Sequence, residues 1–504
     1  MIAELVSVLA VLAGGSLLVR AAGLTGWSVP AFGLVAGVCV QLTVGLVQVV
    51  TPLPTTPVLT LALTAGLPAL WWAVRWWRGH DVGLPVRWTA LVLAAVAGGV
   101  LVLRAANLVK WHTDSLRYLM TGTLLADGTY YSGVSTHNIT KRLIGVPLLH
   151  APAQLSGEQY LRAITPLLAV ATVAIVVWLF RQGMRDRIDP TQLAVFAVLG
   201  GLLLVTGNRF VFSAFYLNGH LLFAVLLLVV AGAGWLLLTG VLTGADRLAP
   251  ALRLLQLLAL PAMVVTRPEG SLMAAVALLP MLLSTRVRVP HRAAALATLG
   301  VSTMVWQGFV LWVHRERGEA VPATVAAMLA LGLLLLALSA GLLRWETRLS
   351  RADRLPSRPD RLLWVAEAGL WLALAGFALR DPAILVDSVD ATIQNVVFGD
   401  GKWGSSLVAL GLLVLGAVTF LRAPGAASLR FPVTTFIPLA FLLAYLRDAA
   451  YRVGYGDSLS RMFMHIVPLA VLFVMVTYSR TDWSSLWTRL GSSTEGSERR
   501  GVAG

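Results

Sequence analysis

Long apolar segments alternate with short polar connections along almost the whole chain. Each segment runs for about 17–25 residues with few charges, which is the length that one helix needs to cross the hydrocarbon of a bilayer. Backbone groups in lipid must be satisfied internally, so the pattern predicts helices; a barrel would show short alternating segments instead. The predicted spans, about fifteen in number, are 2–22, 29–50, 57–74, 88–108, 163–180, 191–206, 220–243, 253–266, 271–284, 293–313, 321–343, 362–380, 405–421, 431–446 and 461–479.

Composition narrows the class of protein. Apolar residues make up 58% of the 504 residues and charged residues only 12%. A soluble protein of this length has no means of covering so much apolar surface. The sequence therefore predicts an all-α polytopic membrane protein without a sizeable soluble domain. Its single cysteine, Cys39, lies within an apolar segment, so neither a disulfide framework nor a cysteine-based metal site is expected.

The basic residues indicate how the chain is oriented in the membrane. Arg75, Arg78 and Arg87 share one connection, and placing it in the cytoplasm makes the connections on its side strongly arginine-rich. Nearly all of the net charge of +15 then lies inside, with the N-terminus outside and the C-terminus cytoplasmic. We therefore expect a multi-pass protein of the cell membrane whose basic charge reflects insertion and contact with membrane lipids, and no nucleic-acid partner.

Three parts can be distinguished along the chain. Residues 1–86 hold three nearly featureless spans, residues 87–479 hold the other spans and the outer segment 109–162, and residues 480–504 form a polar tail that is expected to be disordered. Acidic, basic and aromatic residues gather at the predicted outer ends of the spans. Transporters instead place ionisable groups near the bilayer midplane, so this distribution favours chemistry at the outer interface.

Asp114 is the leading candidate for that chemistry. It follows the fourth predicted span, with His112, Arg117 and Tyr118 close by in sequence. A carboxylate at this point can take a proton from a hydroxyl group that comes within hydrogen-bond distance. Alternatively, Asp114 caps a helix predicted at 115–125, because Thr-Asp-Ser is a sequence typical of helix starts.

Two pairs of residues near the outer ends are candidates for holding an anion. Arg267 and Glu269 lie in a tight break between two short apolar segments, where they either neutralise each other at a turn or line a cavity. Arg461 and His465 are four residues apart and share one face of the last span. They either bind a ligand or anchor that helix at the interface.

Three further groups of polar residues are predicted at the outer ends. Lys141 and Arg142 approach either a phosphate group or lipid headgroups. Asn218 and His220 follow an aromatic run that suits an interfacial belt or the stacking of a sugar. The acidic connection 381–404 is expected to be a solvated loop, although its carboxylates also suit a divalent cation: Asp381, Asp387, Asp390 and Asp400.

A family resemblance rests on the order of several short runs. These are Trp-His-Thr-Asp-Ser-Leu-Arg-Tyr at 111–118, Leu-Leu-Ala-Asp-Gly-Thr-Tyr-Tyr at 124–131, Gly-Val-Pro-Leu-Leu-His-Ala-Pro at 145–152, Thr-Arg-Pro-Glu-Gly at 266–270, and Asp457, Arg461, His465 and Pro468 at the last span. Across roughly 88–479 they resemble elements of the GT-C glycosyltransferase superfamily, such as the dolichyl-phosphate-mannose-dependent mannosyltransferases. Many members have an adjacent acidic pair where this chain has Thr113 and Asp114.

The resemblance implies a GT-C-like helical bundle and a membrane glycosyltransferase. Such an enzyme moves a sugar from a polyprenyl-phosphate-linked donor to a cell-envelope glycan, a glycolipid or a protein on the outer face. The acceptor hydroxyl attacks the anomeric carbon, a carboxylate takes its proton, and cationic groups stabilise the departing lipid phosphate. The resemblance implies no particular cofactor, and it is compatible with a divalent cation at the site. The rival hypotheses are a transporter or flippase of a lipid-linked sugar and a structural assembly subunit.

The resemblance also suggests a role for each candidate residue. Asp114 is the base or the substrate anchor, and Glu269 orients Arg267. The groups expected to bind the donor phosphate are Arg267, Arg461, His465, Lys141 and Arg142. The groups expected to support the site or contact a substrate are His112, Glu269, Tyr118, Asn218 and His220.

Overall fold

A computed structural model describes residues 2–51, 53–80, 113–239, 248–345, 359–421, 425–454 and 456–481. These ranges contain helices and no strand. In chain order the helices are α1 Ile2–Ala21, α2 Val29–Val50, α3 Pro57–Trp77, α4 Thr113–Ala126, α5 Tyr130–Gly133, α6 Thr136–Lys141, α7 Gly145–His150, α8 Ile164–Met184, α9 Pro190–Val205, α10 Asn208–Ala214, α11 Gly219–Leu238, α12 Leu248–Thr266, α13 Gly270–Leu282, α14 Val289–Glu316, α15 Ala323–Arg344, α16 Pro359–Arg380, α17 Pro382–Val396, α18 Ser406–Thr419, α19 Ala427–Leu446 and α20 Ser458–Ser479.

The protein is a multi-pass helical membrane protein. Within the described ranges, eleven helices are long and apolar enough to cross a membrane, and α9 with α10, bent by 70°, makes a twelfth if the pair is one span. The predicted spans 271–284 and 405–421 are the shorter helices α13 and α18. The predicted span 88–108 and the tail beyond residue 481 lie outside the described residues. The number fifteen therefore stays a prediction.

Contacts between helix ends distinguish the two ends of the bundle. At one end, Asp114 in the first turn of α4 meets Arg461 in the first turn of α20, and we call this end the site face. At the opposite end, the guanidinium groups of Arg187 and Arg286 each donate at 2.9 Å to a carbonyl at the end of α11. Both of these arginines belong to clusters that the positive-inside rule assigns to the cytoplasm. Which end faces the cytoplasm stays a prediction.

Two helices form the centre of the bundle and two others mark its rim. The apolar stretches of α11 and α20 are each 94% buried, whereas those of α15 and α16 are 22% and 17% buried. A helix that is apolar on all sides and is not covered by the rest of the protein faces lipid. The central helices begin at the site face, so their first turns bring polar side chains to its middle.

The three N-terminal helices belong to the body of the bundle. Helix α2 is largely buried and packs against α8 and α12 as well as α1. Its Gln41 donates from Nε2 to the carbonyl oxygen of Leu148 in α7 at 2.8 Å. A Cβ added to Gly45 would lie 2.5 Å from the Leu148 side chain. Since α7 in turn packs on α4, the N-terminal helices support the segment that presents Asp114.

Two connections between predicted spans are largely helical. The outer segment 109–162 contains α4 to α7 and a short 3₁₀ helix, Ala151–Ser156, within its described part. The acidic connection 381–404, expected as a solvated loop, is mostly α17, and Asp381 caps it by accepting the Ala383 amide at 3.2 Å. The loop prediction was wrong because apolar side chains recur there at helical spacing, at Val386, Val389 and Ile393.

Helices α1 and α2 cross at closely packed glycines, which provides a first test of the fold. A Cβ on Gly15 would lie 1.8 Å from the Gly33 carbonyl oxygen and 2.4 Å from the Gly37 nitrogen. Gly15→Ala is therefore expected to force the helices apart and to destabilise the protein by about 1–3 kcal/mol, as overpacking does. The thermal unfolding midpoint in detergent measures this. Gly66→Ala in α3 is the control, because its Cβ meets nothing within 4 Å; equal midpoints for the two variants would contradict the crossing.

Candidate functional site

The carboxylate of Asp114 lies between two guanidinium groups. Arg142 donates from Nη2 to Oδ1 at 2.7 Å, and Arg461 donates from Nη1 to Oδ2 at 2.6 Å. Asp114 sits inside the first turn of α4 rather than at its N-cap, so the capping interpretation was wrong. A carboxylate in a first turn also interacts favourably with the positive end of the helix dipole. These two ion pairs join segments that are 28 and 347 residues from Asp114 in sequence.

Each arginine is oriented by its own local contacts. Arg142 directly follows α6, and its Nη1 donates to Asn138 Oδ1 at 3.4 Å. Arg461 lies in the first turn of α20, where its Nε donates to the carbonyl oxygen of Asp457 at 3.2 Å. Asp457 caps that helix through the amide of Ser460 at 2.8 Å. About a fifth of each charged side chain in the Asp114 cluster remains exposed, so a ligand can reach it.

The pKa of Asp114 reflects these partners. Burial alone would raise the pKa, but the hydrogen bonds and charges of Arg142 and Arg461 outweigh it and lower the pKa from 3.8 to about 2. A carboxyl group whose pKa is lower in the folded protein stabilises that state at neutral pH. This stabilisation is lost as the pH falls from 3.8 towards about 2. Asp114 therefore stays ionised throughout the physiological range.

Arg267 and Glu269 form a second, more deeply buried ion pair beside the first. Arg267 Nε donates to Glu269 Oε1 at 3.0 Å, within the break between α12 and α13. The break turns tightly, since a Cβ on Gly270 would lie 2.1 Å from the Met263 carbonyl oxygen. Tyr118, which is one turn after Asp114 in α4, lies close to Arg267. The two ion pairs are therefore near each other.

Two imidazole rings continue the cluster into the bundle. His220 Nδ1 and His465 Nε2 are 2.8 Å apart, and both rings are buried. His465 Nδ1 faces Glu269 Oε1 at 3.8 Å, which is too long for a hydrogen bond. A proton on that Nδ1 would point at the carboxylate and leave Nε2 to accept the proton of His220 Nδ1. Glu269 therefore favours one tautomer of each ring.

The site contains two residues that sequence reasoning did not select. Arg209 in α10 is buried near Arg461 and donates to the carbonyl oxygen of Gly401 at 3.2 Å. Tyr216 is buried and also lies close to Arg461. Both lie in the run 208–220, whose aromatic residues were predicted either to form an interfacial belt or to stack on a sugar. No local signal distinguished Arg209, because arginine and aromatic residues commonly occur together at the ends of spans.

The structure brings most of the predicted site residues together. One contact network at the site face contains Asp114, Tyr118, Arg142, His220, Arg267, Glu269, Arg461 and His465. Asn218 caps α11 by accepting the His220 amide at 2.9 Å. Lys141 is exposed, beside Arg142 in sequence. His112 lies outside the described residues. These placements leave the proposed role of each residue a prediction.

The arrangement suits the binding of an anion. The network holds three guanidinium groups, from Arg142, Arg267 and Arg461, against the carboxylates of Asp114 and Glu269. Guanidinium groups are the side chains best fitted to two oxygens of one ligand. Among the described residues, no group of three His, Cys, Asp or Glu side chains is placed to hold a metal ion.

Comparisons with known proteins found no match. No family model matches the chain, no curated protein matches it, and no solved structure matches it.

Proposed function

We infer that the protein is a glycosyltransferase of the GT-C type, which takes a sugar from a polyprenyl-phosphate-linked donor. The observation that supports this most is the Asp114 carboxylate shared by Arg142 and Arg461 at one end of a membrane bundle. The phosphate of a lipid carrier lies at this level of a bilayer, and guanidinium groups bind phosphate through charge-assisted hydrogen bonds. A carboxylate next to that phosphate is placed to receive a proton from an acceptor hydroxyl.

The short sequence segments that carry the family resemblance also lie close together in the structure. Asp114 from the run 111–118 contacts Arg461 in the last span, and Tyr118 contacts Arg267 from the run 266–270. Residues that act on one ligand must lie close to one another, and the contacts among these three runs support that arrangement. Together with the positive-inside orientation, this supports transfer on the outer face of the cell membrane to an envelope glycan, a glycolipid or a protein.

The proposed reaction is a single displacement. The acceptor oxygen bonds to the anomeric carbon, and its proton passes to an oxygen of Asp114. The bond between the anomeric carbon and the phosphate oxygen breaks, and its electron pair stays on the lipid phosphate. Arg142 and Arg461 stabilise the charge on that phosphate, an effect worth about 10²–10³ in rate for one well-placed donor. Arg267, whose guanidinium group is held by Glu269, is a further cationic group of the site.

Reconstitution in lipid vesicles tests this function against its rival. Purified protein is supplied with a polyprenyl phosphate carrying a radiolabelled sugar and with membrane acceptors, and the label is followed into the acceptor fraction. The enzyme hypothesis predicts transfer that depends on the protein. In a parallel assay, protein-dependent passage of the intact donor across the bilayer, without transfer, would support a flippase and overturn the proposal.

A further inference from the structure

Asp114 occupies the same two guanidinium groups that a donor phosphate needs. Each carboxylate oxygen accepts a hydrogen bond from one of these guanidinium groups, at 2.7 Å from Arg142 and at 2.6 Å from Arg461. The phosphodiester of a lipid-linked sugar also presents two unsubstituted oxygens and one negative charge. A carboxylate and a phosphodiester are therefore competitors for one pair of arginines.

The other arginines of the site are less free to change partners. Arg267 is bound to Glu269, and their side chains are 12% and 3% exposed. Arg209 is buried and bound to the Gly401 carbonyl. Asp114, in contrast, is 21% exposed, and its partners Arg142 and Arg461 are 17% and 19% exposed. Exchange of an anion is therefore easiest at the Asp114 pair.

Arg461 can exchange its anion without losing its position. Its Nε remains bound to the Asp457 carbonyl while its Nη1 faces Asp114, so one edge of the guanidinium anchors it and another is available. Arg guanidinium groups offer five donors in a fixed plane, which permits this division. An incoming anion would meet a group that is already oriented.

Resting on the function proposed above, we propose that the donor phosphate displaces Asp114 from Arg142 and Arg461, and that this exchange frees the carboxylate to take the acceptor's proton. Until the donor binds, both guanidiniums hold Asp114 and lower its basicity. After the exchange, Asp114 faces the acceptor without them. The donor must then bind before the acceptor can react, so Asp114 does not take a proton from an acceptor when no donor is bound.

Binding of phosphates to the full-length protein in detergent tests the competition. Titration calorimetry with farnesyl phosphate and with inorganic phosphate gives the Kd for the wild type and for Asp114→Asn. Removal of the competing carboxylate is expected to tighten binding of farnesyl phosphate by about tenfold. If Asp114→Asn gains as much affinity for inorganic phosphate, the two arginines recognise the phosphate group alone. If the gain is confined to farnesyl phosphate, they recognise a phosphate attached to a lipid. Both results support the exchange.

Two further variants separate competition from general electrostatics. Asp390→Asn removes an exposed charge on α17 of the site face and is expected to leave the Kd unchanged. Asp114→Asn combined with Arg461→Gln is expected to lose the gain, since the freed guanidinium is what binds. Unchanged or weaker binding by Asp114→Asn would overturn the exchange, as would an equal gain in Asp390→Asn. These outcomes do not depend on sugar transfer, so they are distinct from a failure of the enzyme hypothesis.

Discussion

The Asp114→Asn variant is expected to lose sugar transfer by about 10²–10⁴-fold, the usual contribution of a general base. Asparagine has nearly the shape of aspartate, but it accepts no proton and carries no charge for Arg142 and Arg461. Initial rates of transfer from a radiolabelled polyprenyl-phosphate donor, with equal amounts of purified protein, measure the loss. Because the ion pairs of Asp114 stabilise the folded state at neutral pH, each rate is referred to the amount of folded protein in the preparation.

The matched control for this variant is Asp390→Asn. It makes the same change at an exposed position of α17, away from the guanidinium pair, and should transfer sugar at the wild-type rate. Both variants should elute as the wild type does in size-exclusion chromatography. Wild-type transfer by a folded Asp114→Asn protein would remove Asp114 from the mechanism.

The Glu367→Ala variant is expected to destabilise the protein by about 3–5 kcal/mol, the cost of leaving a buried charge unpaired. Glu367 in α16 accepts from Arg430 in α19, and 8% of each side chain is exposed. The Arg430 guanidinium also lies 3.6 Å from the centroid of the Trp364 ring. Without Glu367, this cation remains among apolar helices with only partial compensation.

A paired substitution distinguishes the lost charge from lost packing. Glu367→Leu combined with Arg430→Met removes both charges and keeps most of the side-chain volume, so its thermal unfolding midpoint should approach that of the wild type. Glu367→Ala alone should unfold at a clearly lower temperature. If Glu367→Ala unfolded with the wild-type midpoint, the buried pair would not be a structural element.

Most spans could be predicted from the sequence because hydrocarbon imposes a length on every crossing helix. The bounds of α1 and α2 agree with the prediction to within one residue. Helix α14, Val289–Glu316, extends beyond the predicted 293–313 at both ends. Hydrophobicity locates only the part of a helix in lipid, whereas polar turns can continue it into water.

The candidate site was predicted as a set of residues but not as a geometry. Asp114 and Arg461 stood out through their positions in the runs that resemble the GT-C superfamily, and Arg267 because a charge in an apolar setting is costly unless it is used or paired. The partners of Asp114 could not be identified, since Arg461 is 347 residues away and no local pattern encodes that contact. The contact between His220 and His465, separated by 245 residues, was unpredictable for the same reason.

The most direct test of a single site built around Asp114 is a double-mutant cycle on the transfer rate. Arg461→Gln alone is expected to lower the rate by about 10²-fold, and Asp114→Asn by a similar or larger factor. Residues that act as one unit are not additive, so the double variant should transfer sugar about as slowly as the slower single variant. Losses that multiply in the double variant would show that Asp114 and Arg461 act independently, and would contradict the shared site.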